Sequence, residues 1–358
     1  MLSDLSHSAH APSAEEFCKL FREKNSIPKF VYGINQYAAS IAERCDISGF
    51  IDDFRQEHEY MGKPVLRLHD VPEGSLIVSA IVGIIPLTAK KRLQDAGLRH
   101  LDYFAFLKYS GLELKRDFLF DFEDFKKDFE ENRDKYERIY GILKDEESKD
   151  TFSRIINFRL SYDLSYMEVF KDRRSEQYFE EFLGLSDEEV FVDAGGFDGE
   201  TTIAFIKRYP AYKAIYFFEP DIENLSLAKE KLRGCRDIYF FNVGLYNRTG
   251  YLRFSCSKDA GKISDTGDVD IFVDKMDNVI LEFPPTFIKI DIEGAEKEAL
   301  EGARDIIKKY MPKLAIAAYH RADDLRAIPE KVLSIADTYS LYIRHYTEGF
   351  TETVFYFK

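Results

Sequence analysis

The chain has no tryptophan, so its aromatic core must come from 31 Phe and 22 Tyr among 358 residues. Cysteine is scarce. Cys18, Cys45, Cys235 and Cys256 are widely spaced with no C-x-x-C, so neither a disulfide framework nor a thiolate zinc site is expected. Basic residues are in deficit, 50 Lys and Arg against 64 Asp and Glu for a formal charge of -14. That balance argues against a general nucleic-acid binder, because phosphate contacts need a basic face. No long hydrophobic run occurs. The longest, from Leu76 to Leu87, is interrupted by Gly83 and Pro86 and falls short of the ~20 residues of a membrane span. The opening MLSDLSHSAHAPS has no apolar h-region and is not read as a signal peptide. These absences lead to the expectation of a cytoplasmic protein without a membrane span or a nucleic-acid partner. No full G-x-G-x-x-G is present in either Gly-rich turn, and no Tyr-x-x-x-Lys follows in a suitable place.

What is present predicts two α/β domains, the ordinary expectation for this length. Residues 1–26 read as a flexible tail and a short helix, 27–110 as a small Rossmann-like α/β domain, 111–186 as a helical connector and 187–358 as a larger α/β domain. In the small domain a strand, Lys29 to Tyr32, leads to Gly33 and a helix, and the next strand ends in Asp52 and Asp53. This imitates a dinucleotide site, but Asn35 stands where the second glycine belongs. The favoured reading is therefore a module that binds no nucleotide. In the connector, Phe122, Phe125, Phe129, Tyr136 and Ile139 fall at helical spacing among many charges, which are read as a solvated face. Gln177 to Phe179 either lids a pocket or packs, and spacing leaves both open.

The larger domain is organised around VFVDAGGFDGETT, Val190 to Thr202: a buried strand, a loop with Gly195, Gly196 and Gly199, and a helix start. Such a turn at the carboxyl end of a parallel sheet is a nucleotide-type site. The acid expected about 20 residues on, at the end of the next strand, is Glu219, which follows Ala214-Ile-Tyr-Phe-Phe and can take both hydroxyls of a ribose. The loop is D-x-G-x-x-x-G, and Asp193 beside it would repel phosphate. A carboxylate there suits a cationic ligand such as S-adenosylmethionine, with its ammonium and sulfonium. The competing reading is a turn whose glycines serve packing alone.

Further on, the strand Ile238 to Phe241 ends at Asn242, and Ser257 to Asp268 reads as a mobile substrate loop. FIKIDIEGAE, Phe287 to Glu296, alternates apolar and charged residues. In a strand Asp291 and Glu293 would lie about 6.6 Å apart on one side, with Gly294 releasing a helix from about Ala295 to Tyr310. The strand Leu314 to Ala318 ends in Tyr319-His320, so His320 is expected beside Asp291 across neighbouring strands. The chain closes with a helix from Ile328 to Ala336 and a hairpin.

VDAGGFDGET, FFEP, FNVGL, FIKIDIEGAE, KLAIAAYH and IRHYTEGFTETVFY together resemble the FkbM family of S-adenosylmethionine-dependent methyltransferases, over about residues 130–358. The resemblance implies a class I methyltransferase sheet with a terminal antiparallel hairpin, acting on hydroxyls of sugars, glycans or polyketide-type natural products. It implies that Asp193, Gly195 and Gly199 form the cofactor loop, with Glu219 at the ribose. Asn242 would border the adenine, and Asp291 would stand where the methionine moiety meets the acceptor. Gly196 joins the loop on its position. The expected chemistry is in-line displacement from the sulfonium, with Asp291 or His320 as general base and Glu293 orienting it. A divalent metal on Asp291, Glu293 and His320 ranks below general-base use, so no metal is expected. A small-molecule or glycan acceptor is expected, and homo-oligomerisation is left open. The rival readings are a tandem-Rossmann nucleotide-sugar oxidoreductase or epimerase, and a non-catalytic binding protein that kept the fold.

Overall fold

The computed structural model describes residues 11–256, 261–263, 269–280 and 282–358. The chain divides into two compact units, one of Met1–Glu130, Thr151–Arg173 and Tyr346–Thr351, the other of Glu131–Asp150, Arg174–His345 and Glu352–Lys358. The segment 111–186 is divided between them.

The first unit is built on strands β1 (Lys29–Tyr32), β2 (Gly49–Ile51), β3 (Glu59–Tyr60), β4 (Lys63–Leu66), β5 (Leu76–Ser79) and β6 (Arg99–Asp102), in the order β3-β4-β2-β1-β5-β6. All pairs are parallel except β3 with β4. β1, β2 and β5 are buried at every position, as parallel strands covered on both faces must be. Asn35 has a structural role of its own here. Its Oδ1 caps the helix Gln36–Ala42 by accepting from the Tyr37 and Ala38 amides, and its Nδ2 donates to the Ala80 carbonyl. The two acids after β2 are likewise engaged by the chain. Asp52 accepts from the amides of Phe54 and Arg55, and Asp53 from that of Leu68. In the same unit Phe122, Phe125 and Phe129 are buried along one face of the helix Phe122–Glu131.

The second unit carries strands β7 (Val190–Ala194), β8 (Ala214–Phe218) and β9 (Ile238–Phe241). A small four-stranded sheet follows, of β10 (Gly244–Leu245), β11 (Gly250–Cys256), β12 (Gly261–Ile263) and β13 (Val269–Asp274). The main sheet is completed by β14 (Phe287–Ile290), β15 (Lys313–Ala317), β16 (Leu341–His345) and β17 (Thr353–Phe357). Its order is β16-β17-β15-β14-β7-β8-β9, with β17 antiparallel to both neighbours and β15, β14, β7, β8 and β9 paired in parallel. The strand order reverses at β7. The loops after β7 and β14 therefore lie at the carboxyl edge beside this switch point, where ligands of open α/β sheets bind.

Two helices differ from expectation. The helix read as continuous from Ala295 to Tyr310 is broken into Glu296–Gly302 and Arg304–Tyr310. The Asp277 carboxylate accepts from the amides of Asp305 and Ile306, so a side chain distant in sequence starts the second helix afresh. The helix expected from Ile328 begins four residues earlier, at Asp324, and carries Pro329 inside it. Of the expected mobile loop 257–268, only the short strand β12 lies within the described residues.

Candidate active site

The site grows from the register of β7 and β14, which pairs Asp193 with Lys289. Lys289 Nζ lies 3.0 Å from Asp193 Oδ1, with side chains 3% and 0% exposed. Thr202 donates to the other Asp193 oxygen at 2.7 Å. The cation expected to face Asp193 is thus supplied by the chain, and the carboxylate holds the loop from beneath. Burial would lower the Lys289 pKa, but Asp193 and then Asp291 outweigh it and raise it. The same ammonium donates to the carbonyls of Gly195 (2.6 Å) and Ala194 (3.2 Å), tying the loop to the strand.

The loop glycines are required by close approach. Gly195 sits at φ +76°, and a Cβ there would lie 1.8 Å from the Asp291 carbonyl oxygen. A Cβ on Gly196 would lie 2.3 Å from the Phe217 ring. Gly199 caps the helix Glu200–Arg208 in a left-handed conformation. Glu219, just past β8, reaches this loop: Oε2 accepts from the Phe197 amide and Oε1 from the Asp221 amide, both at 2.9 Å. Burial raises its pKa. Asn242 follows β9 and donates to the carbonyls of Pro220 (2.7 Å) and Glu219 (3.0 Å), fixing the turn that carries the acid.

A second group lies beyond the ends of β14 and β15. Asp291 Oδ2 accepts from the Tyr178 hydroxyl at 2.6 Å, while Oδ1 faces His320 Nε2 at 3.4 Å. Glu293 Oε2 is 3.5 Å from the same Nε2, and Glu296 Oε1 is 3.0 Å from Nδ1. Asp291 and His320 are therefore brought together as their strand ends predict, and Glu293 joins them through a left-handed backbone turn (φ +59°). Electrostatically the group is rich in acid. Burial would depress His320, but Glu296, then Asp291 and Glu293, push its pKa up to about 10. Burial pushes Glu293 up to about 7, opposed by His320 and helped by Asp291 and Glu296. Burial acts upward on Glu296 too, yet His320 and the amide of Ile292 bring it below its ordinary value. Glu352 closes the group, accepting from Gln177 at 2.7 Å and from the Tyr319 hydroxyl at 3.4 Å.

Sequence reading noted Lys289 only as a charge costly to bury at a strand end, without its partner, and missed Glu296, Glu352 and the role of Tyr178. A lysine inside the otherwise apolar FIKI strand was a usable signal, because an isolated buried charge demands a partner. Tyr178 is separated from Asp291 by 113 residues, and no local pattern announces that bond.

The methyltransferase FkbM domain model matches residues 193–337. The crystal structure of the methyltransferase FkbM from Methylobacillus flagellatus KT aligns with a TM-score of 0.75 and 26% identity, covering 96% of this chain and 92% of that one. Residues 193–337 match an FkbM methyltransferase domain. More distant folds cover about half of the chain. An rRNA methylase from Streptococcus thermophilus aligns at 18% identity and TM-score 0.34, over 49% of this chain and 90% of that one. A putative methyltransferase from Streptococcus mutans in complex with SAH aligns at 14% and 0.32, over 50% and 94%. A comparison with curated proteins found no match. The second unit has the class I sheet with its terminal hairpin, and the first unit is a smaller α/β body. No helix among the described residues is long and apolar enough to cross a membrane.

Proposed function

We propose that this methyltransferase uses S-adenosylmethionine and transfers its methyl group to a hydroxyl oxygen of a sugar, glycan or polyketide-type natural product. The observation that carries the cofactor is the contact between Glu219 and the glycine loop, the Phe197 amide to Glu219 Oε2 at 2.9 Å. An acid from one strand end reaching the Gly-rich turn of its neighbour can hold the two ribose hydroxyls of an adenosyl ligand. Gly195, Gly196 and Gly199 shape the turn, Asp193 and Lys289 hold it from below, and Asn242 fixes the far rim.

The acceptor is assigned to the acidic group beyond β14 and β15. The sulfonium is already electrophilic, so alignment and exclusion of water supply much of the rate. The hydroxyl must still lose its proton as the new bond forms. Asp291 or His320 is the group that receives it, with Glu293 as the orienting partner. Tyr178 holds one Asp291 oxygen, and the other is turned toward the imidazole. An acidic chain of net charge -14 suits a neutral small-molecule or glycan acceptor better than a nucleic acid. Calorimetric titration of the full-length protein with S-adenosylmethionine tests the cofactor. The expected result is saturable binding that is weakened in Glu219→Ala. Methyl transfer that persists undiminished in Asp291→Ala would refute the placement of the acceptor.

A further inference from the structure

We infer that a divalent cation binds beyond the ends of β14 and β15, held by Asp291 Oδ1, Glu293 Oε2 and His320 Nε2, with Glu296 supporting the imidazole from behind. The donor atoms stand 3.4 Å and 3.5 Å from Nε2. Metal bonds of about 2.1 Å meeting at roughly 90 to 110° place neighbouring ligand atoms about 3.0–3.5 Å apart. Both distances to Nε2 fall in the range of atoms sharing an ion and lie beyond the usual N–H···O separation of about 2.7–3.2 Å.

The imidazole supplies the independent observation. His320 is 6% exposed, and neither of its ring nitrogens has a hydrogen-bond partner of acceptable geometry. An ordinary ion pair with Glu296 accounts for the Nδ1 side, at 3.0 Å, but leaves Nε2 aimed at two carboxylates without bonding either. A cation accounts for both sides at once. Metal-bound histidines commonly turn their second nitrogen to a carboxylate, which fixes the ring. Glu296 is suited to that supporting place, because its Oε1 also accepts from the amides of Ile292 (3.0 Å) and Gly294 (3.2 Å). Asp291, Glu296 and His320 offer ligand atoms within 4.8 Å of one another, so Glu296 is close enough to bind directly. Its contact with the far nitrogen assigns it to the outer position instead.

Each ligand has its own orienting feature. Tyr178 holds Asp291 through Oδ2, Glu296 holds His320, and the left-handed turn at Glu293 directs that residue back over the ring. A non-glycine residue in that conformation is strained, and such strain gathers at ligand sites. Glu293 is the open side of the group, its side chain 41% exposed, so an ion can enter there and keep positions for oxygen ligands. The role of the ion rests on the methyl-transfer reading and stands in place of proton uptake by its own ligands: a hydroxyl bound to it is oriented and made more acidic. Binding itself does not depend on that reading.

The test uses the full chain, freed of metal with EDTA and dialysed, and titrated with MnCl2 alone by electron paramagnetic resonance. One saturable Mn2+ per chain is expected, with affinity lowered about tenfold or more in Glu293→Gln and His320→Ala, and in the same range in Glu296→Gln. Circular dichroism establishes that each variant is folded, and Glu293→Gln, at the exposed edge, serves if the buried substitutions unfold. Absence of saturable binding to the wild type overturns the proposal, as does equal binding by the Glu293→Gln and His320→Ala variants. Titration of the same metal-free stock with S-adenosylmethionine separates the two readings. Cofactor binding without Mn2+ binding removes the cation and leaves methyl transfer; Mn2+ binding without cofactor binding supports the site and removes its assigned role.

Discussion

Lys289 and Asp193 face each other across adjacent parallel strands, Nζ to Oδ1 at 3.0 Å, directly beneath the glycine loop. Breaking such a pair from one side leaves a buried charge without compensation, at a cost of about 3–5 kcal/mol. Lys289→Met is expected to lose stability on that scale, and also to lose the donors to the carbonyls of Ala194 and Gly195. The double variant Asp193→Asn with Lys289→Met should recover part of the loss. Urea unfolding of the two single variants and the double variant measures the coupling. Additive losses would mean that the two charges do not depend on one another.

Gly195→Ala and Gly196→Ala should behave differently although they are neighbours. The new methyl at 196 meets the Phe217 ring, a side chain, so Gly196→Ala with Phe217→Leu should restore part of the lost stability. The new methyl at 195 meets the backbone oxygen of Asp291, in a left-handed conformation, and trimming a side chain gives it no room. Thermal unfolding of both alanine variants, each with and without Phe217→Leu, checks this. Equal rescue at both positions would contradict the packing described.

These glycines show how much was legible in the sequence. The strand, the turn and the acid about 20 residues on follow from local patterns, and Glu219 does reach the turn. Parallel pairing follows from alternating strands and helices, whereas the class I sheet with its final hairpin was implied by the family resemblance. What was not legible depends on register and on distant segments. Lys289 became the partner of Asp193 only once β14 was placed beside β7 in a given register. Tyr178 comes to Asp291 from the segment preceding β7. The helix expected from Ile328 starts at Asp324 instead, where the buried Asp324 carboxylate accepts from the Arg321 amide, a bond that apolar spacing does not announce.

Tyr178→Phe removes the hydroxyl that donates to Asp291 Oδ2 at 2.6 Å while keeping the ring. A hydrogen bond to a charged group contributes about 1.5–3 kcal/mol, equivalent to roughly tenfold or more in rate if the bond is fully used in the transition state. The expected outcome is a fall of that size in kcat, with the far-ultraviolet circular dichroism unchanged. Single-turnover methyl transfer measures it. An unchanged rate would show that the hydroxyl does not position Asp291 for the reaction.

The last prediction concerns acid. Arg344 Nη2 binds Asp145 Oδ2 at 2.7 Å, and the Ser148 amide donates to Oδ1 at 2.7 Å. Burial acts to raise the Asp145 pKa, but these bonds outweigh it and bring it from 3.8 to about 2. A carboxyl with a depressed folded-state pKa contributes stability that is present above its unfolded pKa. That contribution is lost as the pH falls from about 4 through about 2. The Asp145 side chain is 34% exposed, so solvent screening reduces the contribution to on the order of 1 kcal/mol. Asp145→Asn should therefore be less stable than the wild type by about that amount at pH 6, with the gap narrowing below pH 4. Urea midpoints at pH 6, 4 and 3 give the comparison. A gap that stays constant across this range would mean that the carboxylate charge is not what Arg344 stabilises.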